Sequence, residues 1–178
     1  MATCLRFNQT ITKSCRSTPG VKELWITNYE DVGTITESGE KVTNIATGLT
    51  YTGGTDLWYN IKVNRETSSF TDELLVTVAN GAYIYKPTVT FKLASLDTEI
   101  RTIFKELSQA TLMVVVESVD GKQYLLGKSN GLDVVTAMAA TGLANQDAKG
   151  LEVTLSGLEP YPYIEIDTAS YDIDSYTF

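Results

Sequence analysis

Carboxylates are the only abundant residues in this sequence with the chemistry of a catalytic group. The chain has 22 Asp and Glu residues and no histidine, which removes serine–histidine and cysteine–histidine catalysis and every imidazole metal site. Four carboxylates lie close together near the end of the sequence: Glu165, Asp167, Asp172 and Asp174. They could form an acid pair or a calcium site, but residues 167–174 lack glycine and only partly match a calcium loop. We expect a solvated acidic segment, with no catalytic residue, no metal and no cofactor.

Cysteine and glycine motifs offer no stronger site. Cys4 and Cys15 are too far apart for a redox motif and too few for zinc. They are either free thiols or a disulfide that closes the N-terminal segment. The pair Gly53–Gly54 has no adjacent lysine, which indicates a loop rather than a phosphate cradle. We therefore predict that the protein is not an enzyme.

Aromatic residues leave a different function open. Ten tyrosines and two tryptophans are present, and several of them fall on predicted strands. Strands favour aromatic residues for core or interface packing, but a sugar-binding platform is the alternative. That platform would use Trp25, Trp58, Tyr59, Tyr83 and Tyr85. The alternative function is therefore an extracellular β-sandwich binding module, either an adhesin or a carbohydrate-binding domain.

Composition indicates one globular domain. The chain has 178 residues, of which 43% are apolar, and a formal net charge of −8. A net acidic chain lacks the basic surface that grips nucleic acid. It has no apolar run of the roughly 18–20 residues that cross a bilayer, and residues 1–10 lack a secretory-signal pattern. We expect cytoplasmic production and no membrane insertion.

Alternating apolar and polar residues predict the strands. In residues 59–64, Tyr59, Ile61 and Val63 share one face. Residues 88–93 alternate in the same way, and Pro87 before them predicts an edge position. Asn80–Gly81 predicts a tight two-residue hairpin turn. Further strands are predicted at 21–27, 33–36, 41–46, 73–79, 82–85, 112–116, 123–126, 132–140, 151–155 and 164–166, with 112–116 buried on both faces.

One helix is predicted over residues 95–110. Its apolar residues Leu96, Ile100 and Ile103 form a single stripe, continued by Phe104 and Leu107. Many short strands with one helix predict a mainly β fold, a sandwich or barrel of antiparallel strands with one flanking helix. The predicted domains are an N-terminal arm, residues 1–20, and one β domain, residues 21–178.

The two ends of the sequence carry opposite charge. The first 22 residues contain four basic and no acidic groups, whereas residues 150–178 contain six acidic and no basic groups. Solvated ends are one interpretation. Docking of one copy on the next in a head-to-tail ring is the other. The candidate docking residues are Arg6, Lys13, Arg16, Glu165, Asp167, Asp172 and Asp174.

The order of these elements resembles that of bacteriophage tail-tube-like and tail-ring structural proteins. The resemblance covers about residues 55–167 and rests on short motifs in sequence order. These are Asn80–Gly81–Ala82–Tyr83, residues 88–91, the helix, residues 112–117 and 121–127, Gly131–Leu132, residues 140–142 and residues 147–162. The N-terminal segment with its two cysteines is not part of the resemblance.

The resemblance implies a virion protein that works by assembly. In that family, protomers form rings whose inner sheets join into a channel for DNA, in a tail tube or in a ring of the tail or neck. The implied partners are further copies of the chain, about six or twelve to a ring, other phage tail or neck proteins, and DNA in transient, non-specific passage. The protein would be assembled in the host cytoplasm and located in the virion.

Two sets of residues are candidates for these contacts. A channel must pass a polyanion without holding it, so acidic and neutral polar side chains suit its lining. The candidate channel-facing residues are Asn60, Lys62, Asn64, Thr88 and Thr90. The polar stretch 65–72 predicts an exposed loop that becomes ordered against a neighbouring subunit. Its residues are Arg65, Glu66, Thr67, Ser68, Ser69, Phe70, Thr71 and Asp72.

Overall fold

The computed structural model describes residues 20–48, 57–63, 67–79, 81–93, 98–141 and 150–177. These residues form strands β1 (Val21–Asn28), β2 (Val32–Ser38), β3 (Lys41–Thr47), β4 (Tyr59–Ile61), β5 (Ser69–Thr77), β6 (Ala82–Leu93), β7 (Leu112–Ser118), β8 (Gln123–Leu126), β9 (Asp133–Ala140), β10 (Gly150–Ser156) and β11 (Ile164–Ile166). Helix α1 spans Thr98–Leu107. Short 3-10 turns span Tyr29–Asp31 and Ile173–Tyr176.

The strands form two sheets. One sheet has the strand order β2-β3-β11-β8-β7-β1-β4, and the other has the order β5-β6-β10-β9. Neighbouring strands are antiparallel except β3 and β11, which are parallel. The predicted fold class, a mainly β sandwich-like protein with one helix, is confirmed; the described strands do not close into a barrel.

The first core lies between the two sheets. The seven-stranded sheet contributes Leu24, Ile26, Val114 and Val116, and the four-stranded sheet contributes Val89, Phe91, Val153 and Leu155. These residues occur at alternate positions of their strands, because side chains of a strand point to opposite faces in turn. Leu107 and the half-buried Ile103 pack α1 onto this core.

A second core covers the opposite face of the seven-stranded sheet. It contains Trp25, Met113 and Val115 from the sheet, packed with Trp58 and Tyr171 from segments outside the regular strands. Strand β7 therefore alternates between two cores, with Val114 and Val116 in one and Met113 and Val115 in the other. The prediction that residues 112–116 are buried on both faces is confirmed.

Two local predictions differ from the structure in the β5–β6 hairpin. Thr77 pairs with Ala82, so the connection has four residues rather than two, and Asn80 lies outside the described residues. Pro87 lies inside a 12-residue strand rather than at an edge. Its carbonyl accepts the Gly157 N–H at 3.3 Å, and the regular β10 strand ends one residue earlier, at Ser156. Proline is accommodated where its missing donor meets the end of a neighbouring strand.

The helix is close to its predicted position, and Asp120 and Gly121 lie in a turn between the strands predicted at 112–116 and 123–126. Helix α1 is shorter than predicted and ends at Leu107; residues 94–97, in which the predicted start falls, are outside the described residues. The Ser118 N–H donates to the Lys122 carbonyl across the turn, and Gly121 has φ of 82°, a backbone conformation that favours glycine. The strand predicted at 132–140 is confirmed as β9, which begins one residue later, at Asp133. No helix among the described residues is long and apolar enough to cross a membrane.

Candidate assembly surfaces

The outer face of the four-stranded sheet carries two rows of hydroxyl groups. Each row runs across the strands, at one level along their length. At the first level Ser69, Thr90, Thr154 and Thr136 are paired across the four strands. At the second level, Thr71 is paired with Thr88, which is paired with Ser156. These positions alternate with core residues such as Phe70 and Val89, so they face away from the first core. We call this surface the hydroxyl face.

Hydrogen bonds link the central strands of the hydroxyl face. The Thr88 and Ser156 hydroxyls are 3.1 Å apart, and those of Thr90 and Thr154 are 3.3 Å apart. The Ser156 hydroxyl also contacts the Pro87 carbonyl at 3.0 Å. Cross-strand threonine and serine pairs of this kind stabilise a sheet. The surface is therefore neutral and fixed in its central part.

Four of the five charged residues that strand pairing places on the hydroxyl face stand in pairs of opposite sign, and the fifth is Asp133, which pairs with Ser156. Lys92 lies 3.5 Å from Glu152 at one end, and Lys86 is paired in register with Glu73 at the other. A face with a small excess of negative charge does not attract a polyanion and repels it only weakly, because its field decays over a short distance.

The two edges of the four-stranded sheet expose apolar side chains. Strand β9 has Val135 at 63% exposure and Met138 at 62%. Strand β5, at the opposite edge, has Leu74 at 51% and Val76 at 55%. Within the described residues, each edge strand pairs on one side only. Such edges are templates for pairing with another chain.

Beyond the sandwich, the end of β5 and the start of β6 project as a hairpin, residues 74–85, that we call the arm. It is distinct from the predicted N-terminal arm, residues 1–20. These twelve residues contain no charged side chain. Leu74, Val76, Tyr83 and Tyr85 continue the row of Phe70 and Val89, so they lie on the face of the sheet that elsewhere covers the first core. Val78 at the end of the arm is 88% exposed and Tyr83 is 64% exposed. An uncovered apolar surface of this kind marks a contact site.

A groove lies between β4 and α1, at one end of the first core. Its volume is about 410 Å³. The apolar part of its lining comes from Ile26, Ile61, Ile103, Leu107, Ala110 and Leu112. Glu106 is the one charged residue among the described residues that line it. Its uncharged polar lining comes from Thr27, Asn28, Tyr59 and Asn60. The groove is therefore suited to an uncharged, mainly apolar partner rather than to a charged ligand.

Glu159 is a buried carboxylate that sequence reasoning missed. It is 3% exposed, and it accepts the backbone N–H groups of Ser129 at 3.0 Å and Asn130 at 2.9 Å. Its backbone pairs with Tyr85 at the base of the arm. Glu159 therefore joins the loop after β8 to the four-stranded sheet. The serine, asparagine and glycines of residues 127–131 predict a turn. They do not indicate that Glu159 binds this turn.

Three aromatic rings close one side of the sandwich. The ring of Phe70 lies 5.5 Å from Tyr124 and 5.8 Å from Tyr163, and Tyr124 and Tyr163 are 5.4 Å apart. The Tyr163 N–H donates to the Asp72 carboxylate at 2.9 Å. These contacts place the β5 edge beside β8 and β11 of the seven-stranded sheet.

The predicted channel residues are divided between the two sheets. Thr88 and Thr90 lie on the hydroxyl face. Asn60 belongs to the seven-stranded sheet, where it pairs with Trp25 and donates to the Glu23 carboxylate at 3.2 Å. Lys62 follows β4 and is exposed, and Asn64 lies outside the described residues. Alternation identifies the face of a strand but not the sheet that the strand joins, so the five residues do not form one surface.

The predicted interface loop is partly a strand. Residues Ser69, Phe70, Thr71 and Asp72 are the first four residues of β5, so the loop prediction is wrong from Ser69 onward. The alternation was hidden because Phe70 is the only apolar residue in this stretch. Thr67 and Ser68 precede the strand, and Arg65 and Glu66 lie outside the described residues.

The predicted acidic docking residues have local partners. Glu165 accepts Lys41 at 2.9 Å and Lys122 at 3.4 Å, and its hydrogen bond with Lys41 lowers its pKa. Asp167 accepts the Ser170 hydroxyl at 2.6 Å, which lowers the Asp167 pKa. Asp172 accepts the Ser175 hydroxyl at 2.9 Å.

Asp174 differs from these three carboxylates. Burial raises its pKa, and the nearby Asp172 raises it further. The basic candidates Arg6, Lys13 and Arg16, and both cysteines, lie outside the described residues. The acidic half of the predicted docking pair is therefore largely engaged in local contacts.

The proposed aromatic sugar platform is not assembled. Trp25 is 1% exposed and Trp58 is fully buried. The Trp58 indole N–H donates to the Tyr171 hydroxyl at 2.8 Å, and burial raises the Tyr171 pKa to about 12. Tyr83 and Tyr85 lie on the arm, with ring centres 6.3 Å apart. The tryptophans belong to the cores, as the packing interpretation of the aromatic residues expected.

No group of three acidic, histidine or cysteine residues that could hold a metal ion occurs in the described part of the chain. The sequence matches no protein-family model, and the chain matches no curated protein and no solved structure. The surfaces above are therefore the basis for assigning a function.

Proposed function

We propose that this protein is a structural subunit of a bacteriophage virion, in a tail tube or in a ring of the tail or neck. Copies join head to tail into a closed ring, and the ring surrounds a channel through which DNA passes. The subunit performs no catalysis, is assembled in the host cytoplasm, and contacts other tail or neck proteins above and below its ring.

The observation that carries this proposal is the four-stranded sheet, which has a neutral hydroxyl face and an exposed apolar strand at each edge. Pairing of the β5 edge of one copy with the β9 edge of the next would extend the sheet around a ring. Because the two edges are different surfaces, the contact is heterologous and closes only when the rotation between copies completes a circle. Closure leaves neither edge of the four-stranded sheet exposed.

The hydroxyl face supports its assignment to the channel. A lining with balanced charge offers no array of cations that could exchange with the counterions of DNA. DNA would therefore pass without being retained. The hydroxyl face combines neutral polar side chains with Lys86 and Lys92 opposite Glu73 and Glu152, so it is close to the acidic and neutral polar lining expected of a channel.

The first test is the mass of the purified protein in solution, combined with negative-stain electron microscopy of the same sample. We expect rings or stacked rings of uniform diameter. A matched pair of variants tests the edges: Val135→Lys places a charge on the β9 edge, and Val119→Lys places one in the β7–β8 turn, where Val119 is 46% exposed. Val135→Lys should prevent ring formation and Val119→Lys should not. A protein that stays monomeric at all concentrations, or rings unaffected by Val135→Lys, would contradict the proposal.

A further inference from the structure

Resting on the proposed ring, we propose that the arm of each copy inserts its apolar side chains into the groove between β4 and α1 of the neighbouring copy. The arm and the groove would then form a second contact beside the joined sheet edges. The occupant of the groove is thus another copy of this chain.

The arm and the groove lie on opposite sides of the sandwich. The arm continues β5 and β6, and the β5 side is fixed beside β8 by the contact between Phe70 and Tyr124. The groove lies beside β4, which is separated from β8 by β7 and β1. A side-by-side arrangement of two copies therefore brings the arm of one toward the groove of the next.

Both features also lie toward the same end of the strands. Tyr85, at the base of the arm, forms an isolated bridge with Glu159, and Ser156, three residues before Glu159, pairs with Asp133 of β9. Asp133 accepts the Thr111 hydroxyl at 2.9 Å, and Thr111 adjoins Leu112 of the groove. A ring keeps equivalent ends of all copies at one level, so an arm and a groove at that level can meet.

The chemistry of the two surfaces is matched. The arm has no charge over twelve residues, and the described lining of the groove has one, on Glu106. Leu74, Val76 and Val78 on the arm expose about half or more of their surface. Burying these side chains in the groove would remove apolar surface from water, which favours the contact. The contact would add to the energy of the ring, and because Glu106 is exposed, it need not bury that charge.

Cysteine cross-linking tests this contact. In a chain with Cys4→Ser and Cys15→Ser, Val78→Cys is combined with Ala110→Cys, and the protein is oxidised under assembly conditions. Head-to-tail contacts should give a ladder of linked dimers, trimers and larger species. Each chain carries both cysteines, so it can be linked to one neighbour through the arm and to another through the groove. Each single variant can link no more than two chains. A control that combines Val78→Cys with Asp120→Cys, at the other end of the strands, should give no ladder.

The outcomes separate this inference from the proposed ring. Rings that form without a cross-linked ladder, or a disulfide confined to single chains, would overturn the arm contact and leave the ring intact. Absence of any oligomer in electron microscopy would instead overturn the ring itself. As a second readout, Val78→Asp should raise the protein concentration needed for assembly by roughly tenfold or more. Since Val78 is 88% exposed, the isolated subunit should remain folded, and unchanged assembly would also contradict the arm contact.

Discussion

The carboxylate of Glu159 lies 2.9 Å from the backbone nitrogen of Asn130, and both belong to segments outside the regular strands. The same carboxylate receives the Ser129 N–H, and the Asn130 side chain donates in return to the Leu158 carbonyl. The bonds are reciprocal, so the loop after β8 and the segment after β10 fix each other. Buried charge is tolerated here because two backbone donors stabilise it.

Replacing Glu159 with glutamine should lower the free energy of unfolding by about 1.5–3 kcal/mol, because hydrogen bonds to a charged acceptor are lost and an amide group faces the backbone donors. Urea denaturation measures the change. Glu152→Gln is the matched control: Glu152 lies on the hydroxyl face, its side chain is 44% exposed and its ion pair with Lys92 is 3.5 Å long, so a loss of at most about 1 kcal/mol is expected. Equal losses would show that burial of Glu159 does not matter.

Tyr171→Phe should destabilise the protein by about 1–3 kcal/mol at neutral pH. The ring still fills the second core, but the Trp58 indole N–H loses its acceptor and stays buried. Thermal unfolding of the variant measures the loss. Tyr161→Phe, at a position 66% exposed, should change the free energy of unfolding by no more than about 0.5 kcal/mol.

Alkaline pH provides an independent readout of Tyr171. Because burial raises its pKa to about 12, the folded state keeps a proton that the unfolded state loses near pH 10. The resulting stabilisation is complete below about pH 10 and is lost as pH rises toward 12. Stability measured across this window should fall less steeply in Tyr171→Phe than in the original protein. If stability fell equally steeply with pH in both proteins, the raised pKa would not belong to Tyr171.

Gly157→Ala should cost about 3 kcal/mol, because an added Cβ would lie 2.4 Å from the Gly131 carbonyl oxygen, a backbone atom that cannot rotate away. The comparison is Gly121→Ala, where no atom lies within 4 Å and the cost is only that of φ near 82°, about 1–2 kcal/mol. Denaturant midpoints of both variants give the ranking. The steric explanation fails if Gly121→Ala is the more damaging change.

Acid should weaken the contact of Glu165 with Lys41. Hydrogen bonding lowers the Glu165 pKa below its usual 4.5, so its stabilisation is present above about that pH and is lost as pH falls through the lower folded value. Solvent screening limits the effect of Glu165→Gln at neutral pH to about 1 kcal/mol or less. The difference in stability between the two proteins should therefore shrink below pH 4.5, and a difference that grows would refute the sign.

Regular alternation explains why much of the sandwich could be predicted from the sequence. In residues 88–93 of β6 and in β10, apolar residues occupy every second position, and the structure places them in or against the first core. The uninterrupted apolar run of β7 correctly indicated burial on both faces. The composition of β7 alone predicts this burial, because a core packs against each face of the strand.

The remaining features depend on contacts between distant residues. Glu159 resembles any surface glutamate in the sequence, and only the fold brings the N–H groups of Ser129 and Asn130 to it. The start of β5 has the polar composition of a loop, and only its pairing with β6 makes it a strand. Asn60 and Thr90 alternate with apolar neighbours in the same way, although they belong to different sheets.

The second core has a consequence for the rate of folding. Trp58 and Tyr171 are 113 positions apart in the chain, and Lys41 and Glu165 are 124 apart. Contacts between such distant positions form slowly, since a long loop must close before any favourable contact is made. We expect refolding in milliseconds to seconds, with closure of the second core as its slow step. Until that step is complete, apolar strands are exposed and aggregation competes with folding. The yield of refolded protein should therefore decrease with increasing protein concentration.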